Sequence, residues 1–150
     1  ISMKEDIAAK GFLNIMVVDK KTGRVVSQRR LENDIVSGFA DGVTGELAGV
    51  EGKYLGKISQ VELQNLDAGF TKVLSPPTTL EQLIYSDHYE AHAVFEDAST
   101  DEYTVKTVIL ETTYNSTLNT IAHKLNLNVS KSADQKLIVD WTIAVYFATS

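Results

Sequence analysis

The segment QKLIVDWTIAVYFATS, residues 135–150, has the strictest apolar alternation in the chain. From Leu137 to Phe147 every second residue is large and apolar, and Trp141, the only tryptophan, lies in the middle. Successive side chains of a β-strand point to opposite faces, so this pattern predicts a strand with one fully apolar face. We expect such a strand at the centre of a sheet, because an exposed apolar edge would promote aggregation.

Length and charge limit what the rest of the chain can be. A chain of 150 residues fits one domain. We assign that domain to 3–150, on the expectation that Met3 is the native start and that Ile1 and Ser2 are vector-derived. A net charge of −6 argues against a nucleic-acid-binding surface, which needs clustered Lys and Arg. The absence of cysteine excludes disulfides, thiol catalysis and Cys-based zinc sites.

Membrane insertion is not expected either. No apolar run approaches the roughly 20 residues that span a bilayer, and no signal peptide is visible. We therefore predict neither a membrane partner nor a nucleic-acid partner.

Period-2 patterns recur along most of the sequence. They predict strands at 11–19, 24–30, 57–65, 88–96, 103–112, 118–129 and 136–148, with a polar lead-in over 4–9 and a loop over 65–77. The last four strands, joined by short polar turns, predict an antiparallel meander or half of a Greek key. The predicted fold is therefore mainly β, an antiparallel β-sandwich of jelly-roll or Greek-key type.

Two segments change period and predict helices. Over 31–49, Ile35, Phe39 and Val43 recur every four residues, with Asn33 as the expected N-cap. Glycines within this segment are expected to let the helix approach a sheet closely. A second, short helix is predicted from Thr78, because Glu81 follows three residues later as in a capping box.

The sequence HYEAH places His88, Glu90 and His92 on one face of a predicted strand. Two imidazoles and a carboxylate are ligands for zinc, iron or nickel, and His123 is a possible addition from a neighbouring strand. Residues two apart on a strand lie roughly 7 Å from each other, which is wide for ligands of one metal ion. We therefore interpret the three residues as a solvated strand face and predict no metal ion there.

The sequence DASTD places Asp97, Ser99 and Asp101 at the first, third and fifth positions of a calcium loop. The glycine expected at position six is Glu102, and the glutamate expected at position twelve is Val108. An acidic hairpin turn is the favoured interpretation. Local motifs of hydrolases, dinucleotide-binding folds and phosphate loops do not occur, so we predict no catalytic residues and no cofactor.

Three stretches resemble structural proteins of phage tails and tail fibres. They are LNIMVVDKKTGRVV with LENDIVSGFADGVTGELAG, then SPPTTLEQ, and finally AHKLNLNVSKSADQKLIVDWTIAVYF. The last stretch is similar to the closing pair of strands in these tailed-phage proteins, with Val139, Trp141, Ile143 and Val145 in the final strand. The resemblance implies a β-rich virion component that works by assembly and has no catalytic residues.

Two classes of function are therefore expected. The first is a virion structural protein of a tailed phage or related virus, located at the tail, baseplate or fibre attachment or decorating the head. The alternative is a carbohydrate- or ligand-binding β-sandwich module of the lectin or cupin kind, with or without a metal ion near His88, Glu90 and His92. Apolar residues left over on the outer face of the last strand (Ala144, Tyr146) and in predicted loops (Tyr54, Phe70) predict a homo-oligomer, a trimer or larger ring, that also contacts other virion proteins.

Overall fold

A computed structural model describes residues 8–148 and confirms the mainly β, sandwich-like fold. Most of the predicted lead-in, and the proposed start at Met3, lie outside the described residues; residues 8 and 9 already belong to the first strand. The elements in chain order are β1 (Ala8–Asp19), β2 (Val25–Ile35), α1 (Ser37–Leu47), β3 (Lys57–Asn65), a 3₁₀ turn (Leu66–Ala68), β4 (Phe70–Leu74), β5 (Thr79–Ile84), β6 (His88–Asp97), β7 (Tyr103–Val105), β8 (Thr107–Tyr114), β9 (Thr117–Lys124), β10 (Val129–Lys131) and β11 (Gln135–Tyr146).

Nine of these strands form one antiparallel sheet in the order β4-β3-β8-β9-β2-β1-β11-β6-β5. We call β5, β6, β11, β1 and β2 sheet A, and β9, β8, β3 and β4 sheet B. The two parts are joined where Asp34 and Ile35, at the end of β2, pair with β9. The sheet curls at this junction, and the side chains between sheet A and sheet B form one buried core. β7 and β10 pair separately as a short two-stranded ribbon.

The last strand is central, as its alternation predicts. β11 lies between β1 and β6 and pairs with both along most of its length. Leu137, Val139, Trp141 and Ile143 are buried on the inner face of sheet A, and Trp141 has no exposed surface. Burying each such side chain contributes roughly 1.5–3 kcal/mol before the entropy of ordering is counted.

The indole of Trp141 is held by a polar contact across two strands. Its Nε1–H donates to Asn33 Oδ1 of β2 over 2.9 Å. Gly11 of β1 lies between them in the sheet, and a Cβ added there would come within 2.3 Å of the Asn33 amide. A glycine is therefore needed at position 11, because the Asn33 side chain passes over it to reach the indole.

This contact corrects one prediction for the first helix. Asn33 is part of β2 and does not cap a helix; α1 starts later, and its N-cap, Val36, makes no side-chain cap bond. Asn33 instead pairs with Gly11 of β1, and its side-chain oxygen accepts the hydrogen bond from the Trp141 indole. The expected close approach of α1 to a sheet is confirmed, since a Cβ on Gly38 would lie 2.0 Å from the Thr120 carbonyl oxygen of β9.

The second predicted helix is also wrong in position. Thr79–Ile84 is an edge strand, β5, paired with β6, and the short helix is the 3₁₀ turn at Leu66–Ala68. The predicted loop over 65–77 contains this turn and β4. Pairing with a long neighbouring strand outweighs a local capping signal in a segment this short.

Of the two arrangements predicted for the last four strands, a meander or half of a Greek key, the meander is not formed. β8 and β9 are neighbours, whereas β6 lies across the sheet beside β11. The segment between β6 and β11 forms four strands, β7, β8, β9 and β10, where two strands were predicted. Among residues 8–148, no helix is long and apolar enough to cross a membrane.

We expect Trp141→Ala to lower the free energy of unfolding by about 3–5 kcal/mol, because it removes the largest buried side chain. Asn33→Ala should cost about 1–3 kcal/mol, since it leaves a buried indole N–H without an acceptor. Urea unfolding followed by circular dichroism measures both.

In the wild type, tryptophan emission should be blue-shifted and poorly quenched by iodide; full quenching would contradict burial of this face.

Candidate functional site

The outer face of sheet A is the part of the sheet that sheet B does not cover. It presents side chains from five neighbouring strands in register, and many of these side chains are half-buried. His88, Glu90 and His92 of β6 lie on this face, as the sequence predicts. Their positions on one strand face follow from period 2 alone.

His92 is clamped between two carboxylates from neighbouring strands. Its Nδ1 lies 3.0 Å from Glu81 Oε1 of β5, and its Nε2 lies 2.7 Å from Asp140 Oδ1 of β11. Partial burial alone would lower the pKa of His92, but the hydrogen bonds to Glu81 and Asp140 outweigh it and raise the pKa above 6.5. The imidazolium form is therefore favoured, with one carboxylate for each ring nitrogen.

His88 belongs to a separate group at the end of the same strand. Its Nδ1 lies 2.7 Å from Asp87 Oδ1 and its Nε2 lies 2.9 Å from Glu90 Oε2. The hydrogen bond to Asp87 is the main cause of a raised pKa for His88. The imidazole is also stacked between the rings of Tyr85 and Tyr146, each 4.6 Å from it between centroids.

These contacts do not assemble a metal centre. Within the part of the chain that the structure describes, no group of three or more His, Cys, Asp and Glu side chains is arranged to hold a metal ion. His92 is directed to Glu81 and Asp140, whereas His88 is directed to Asp87 and Glu90. A metal ion needs neutral imidazole, so a raised pKa also works against binding.

His123 does not join them. It lies on β9, which pairs with β2 and β8, whereas β6 pairs with β11 and β5. Its Nδ1 is buried without a hydrogen-bond partner.

A depression of about 560 Å³ lies next to His92 on the same face. Its lining combines an aromatic ring, a guanidinium, carboxylates and an amide; the residues are Phe12, Leu13, Asn14, Arg30, Leu31, Glu32, Glu81, Leu83, His92, Asp140 and Thr142. Charged and hydrogen-bonding groups beside an apolar floor suit a polar ligand with an apolar face. Sequence reasoning missed Arg30 and Asn14, because only the pairing of β2 with β1, and of β1 with β11, brings them to the same depression as Asp140 and His92.

The acidic turn after β6 holds lysine ammonium groups where a calcium loop would hold the cation. Lys131, almost fully buried, donates from Nζ to the carbonyl oxygens of Ser99 and Asp101 over 2.7 and 2.6 Å. Lys72 Nζ lies 3.0 Å from Asp97 Oδ2 and 2.5 Å from Asp101 Oδ2. The oxygens of the turn are thus occupied by the protein's own cations.

Asp97 is the buried centre of this turn. Burial alone would raise its pKa, but bonds from Tyr103 Oη (2.6 Å), the Ser99 amide (2.9 Å) and Lys72 hold the pKa of Asp97 well below its ordinary value. Burial, reinforced by the carboxylate, raises the pKa of Tyr103. These contacts link β4, the β6–β7 turn and β10. The acidic turn therefore has a structural role.

No protein-family model, curated protein sequence or solved structure matches this chain significantly. The site therefore has to be interpreted from its own geometry.

The clamp on His92 predicts a pH dependence. A folded-state pKa above the unfolded value stabilises the fold below about pH 6.5, and this stabilisation is lost as the pH rises through the folded pKa. As the pH rises above about 6.5, the wild type should therefore lose unfolding free energy relative to His92→Gln, as measured by urea unfolding. Identical pH profiles for the two proteins would contradict the clamp, and NMR titration of the imidazole measures the pKa directly.

Proposed function

We propose that this chain is a structural protein of a tailed-phage virion that works by assembly. It is a component of the tail, baseplate or fibre attachment or of the head surface, and it contacts itself and other virion proteins without catalytic turnover. The resemblance of the closing strands, from Ala122 to Phe147, to those of tail and tail-fibre proteins supports this proposal.

The observation that carries the proposal is an exposed apolar surface at one end of sheet A. We call Ile84, Tyr89, Val145 and Phe147 the end patch. Ile84, Tyr89 and Val145 are cross-strand neighbours and are 61%, 45% and 38% exposed. The ring of Phe147 packs against Tyr89 with 5.1 Å between centroids. Contiguous apolar surface of this kind is typical of protein-interaction sites.

The end patch replaces the apolar surplus that the sequence suggested. Ala144 is buried, and Tyr146 stacks on His88. Tyr54 packs edge-on against Tyr114, and Phe70, in β4, stacks on Tyr103 of β7. These residues are used within the chain, so the support for oligomer formation comes from the end patch instead.

Mass spectrometry of phage particles purified from cells that express the gene for this chain tests the proposal. The chain should co-purify with particles at a fixed copy number, and antibody labelling in negative-stain electron microscopy should place it at one location. An abundant early protein of the same phage is the control for contamination. Abundance in infected cells together with absence from particles would contradict the proposal.

A second candidate function is ligand binding in the depression beside His92. The combination of Phe12, Arg30 and Asp140 in one concave site favours a carbohydrate or a similar small polar ligand. NMR titration with monosaccharides should then shift the signals of His92 and its neighbours, and Arg30→Ala should abolish the shifts. An unchanged spectrum at high sugar concentration would contradict this second function.

A further inference from the structure

The strand β5 is a free edge of sheet A. The amide of Tyr85 donates to the His88 carbonyl oxygen over 3.0 Å. Hydrogen-bonded and non-hydrogen-bonded pairs alternate along antiparallel strands. The N–H and C=O groups of Leu80, Gln82 and Ile84 therefore point away from β6, on the side where the sheet order ends.

We propose that this edge binds β5 of a second copy of the chain, antiparallel, about a two-fold axis at Gln82. Gln82 then lies opposite the second copy's Gln82, and Leu80 lies opposite the second copy's Ile84. All three outward-pointing residues meet outward-pointing partners, so each of the three pairs exchanges two main-chain hydrogen bonds. Sheet A becomes continuous across the two copies.

Charge favours this register over the symmetric pairing centred on Glu81. Glu81 lies opposite the second copy's Leu83, so no like charges meet. The symmetric pairing centred on Glu81 would instead place two glutamates directly opposite each other, which is destabilising. Glu81 is also bonded to His92 of its own chain, which holds its carboxylate on the outer face of sheet A, away from the main-chain edge.

Apolar contacts add to the main-chain bonds. Leu80 and Ile84 are 43% and 61% exposed on the inner face, and the pairing places them against each other across the two-fold axis. Leu80 and Gln82 also line an apolar cavity of about 360 Å³ between the two sheets, together with Phe39, Leu55 and Ala91. A second copy covers the side of this cavity that β5 forms.

The other exposed strand edges are less suited to a second copy. β4, at the opposite end of the nine-stranded sheet, carries Lys72, which is tied to the β6–β7 turn. β2 pairs with β9 only at Asp34 and Ile35, and its remaining exposed edge carries Arg29 and Arg30. Charged side chains on an edge strand oppose strand addition. Of β2, β4 and β5, only β5 carries no lysine or arginine.

The pairing rests on the proposed function and deepens it by naming the first contact of assembly. An isologous contact closes on itself, so the unit is a dimer, from which a larger assembly is built through other surfaces, such as Tyr89, Val145 and Phe147 of the end patch. The dimer is a property of the isolated chain, so it can be measured without particles.

The first test uses proline at the centre of the edge. Gln82→Pro removes an outward N–H that makes no bond to β6 and fills its place with a ring, so the fold is retained while pairing is blocked. Light scattering coupled to gel filtration over a range of concentrations should show a wild-type dimer and a monomeric Gln82→Pro. Association should weaken by at least about tenfold, because the central pair of hydrogen bonds is lost. Gln82→Thr, which keeps the N–H, is the matched control and should dimerise like the wild type.

The second test is specific for the register. Leu83→Lys places an ammonium opposite the second copy's Glu81 and should tighten association by about threefold, whereas Leu83→Glu should weaken it by a similar factor. Both variants lose the same apolar side chain. Circular dichroism confirms that each is folded at the temperature used, and this pair decides the matter if Gln82→Pro does not fold.

Two results would overturn the inference: a strictly monomeric wild type, or an oligomer unaffected by Gln82→Pro and by both Leu83 variants. Neither contradicts the proposed function if the chain is still found in particles. Conversely, a β5-dependent dimer that is absent from particles supports the inference and contradicts the proposed function.

Discussion

The pairing of β11 between β1 and β6 is the constraint on which the rest of the structure depends. β11 pairs with β1 from Gln135 to Tyr146 and with β6 from Leu137 to Tyr146. Because side chains alternate strictly along a strand, this register decides which residues of all three strands face sheet B. A slip of one residue would bring Asp140 and Thr142 into the core and expose Trp141, so the hydrophobic effect selects one register.

The same register determines the outer face of sheet A. Asp140 faces outward because Trp141 faces inward, and the pairing of β11 with β6 and of β6 with β5 then brings Asp140 and Glu81 to either side of His92. The histidine clamp is thus a consequence of core packing on the opposite side of the sheet. The raised pKa of His92 depends on its contacts with β5 and β11. The charge on this face therefore depends on the pairing of β5, β6 and β11.

Two lysines perform at the acidic turn the task that a metal ion performs in calcium loops. Lys131 binds carbonyl oxygens of the turn, and Lys72 binds the carboxylates of Asp97 and Asp101. A buried ion pair is weak evidence for net stability, but removing one partner leaves an uncompensated buried charge. The turn after β6 is therefore held by contacts with β4 and β10. In contrast, β5, at the end of the sheet, keeps one edge without a neighbouring strand.

The sequence by itself determined most of the strands, the central position of the last strand and the burial of Trp141, because period-2 alternation and the hydrophobic effect act locally and in the same direction. It also placed His88, Glu90 and His92 on one strand face. Only the tertiary structure decided that Asn33 bonds the indole and does not cap α1, and that Thr79–Ile84 is a strand despite its capping signal. Likewise, only the order of strands brings Arg30, Glu81 and Asp140 to one depression and leaves β5 at an edge. Such neighbours are far apart in the chain, and pairing between strands distant in sequence is set by the packing of the whole core, which no local pattern encodes.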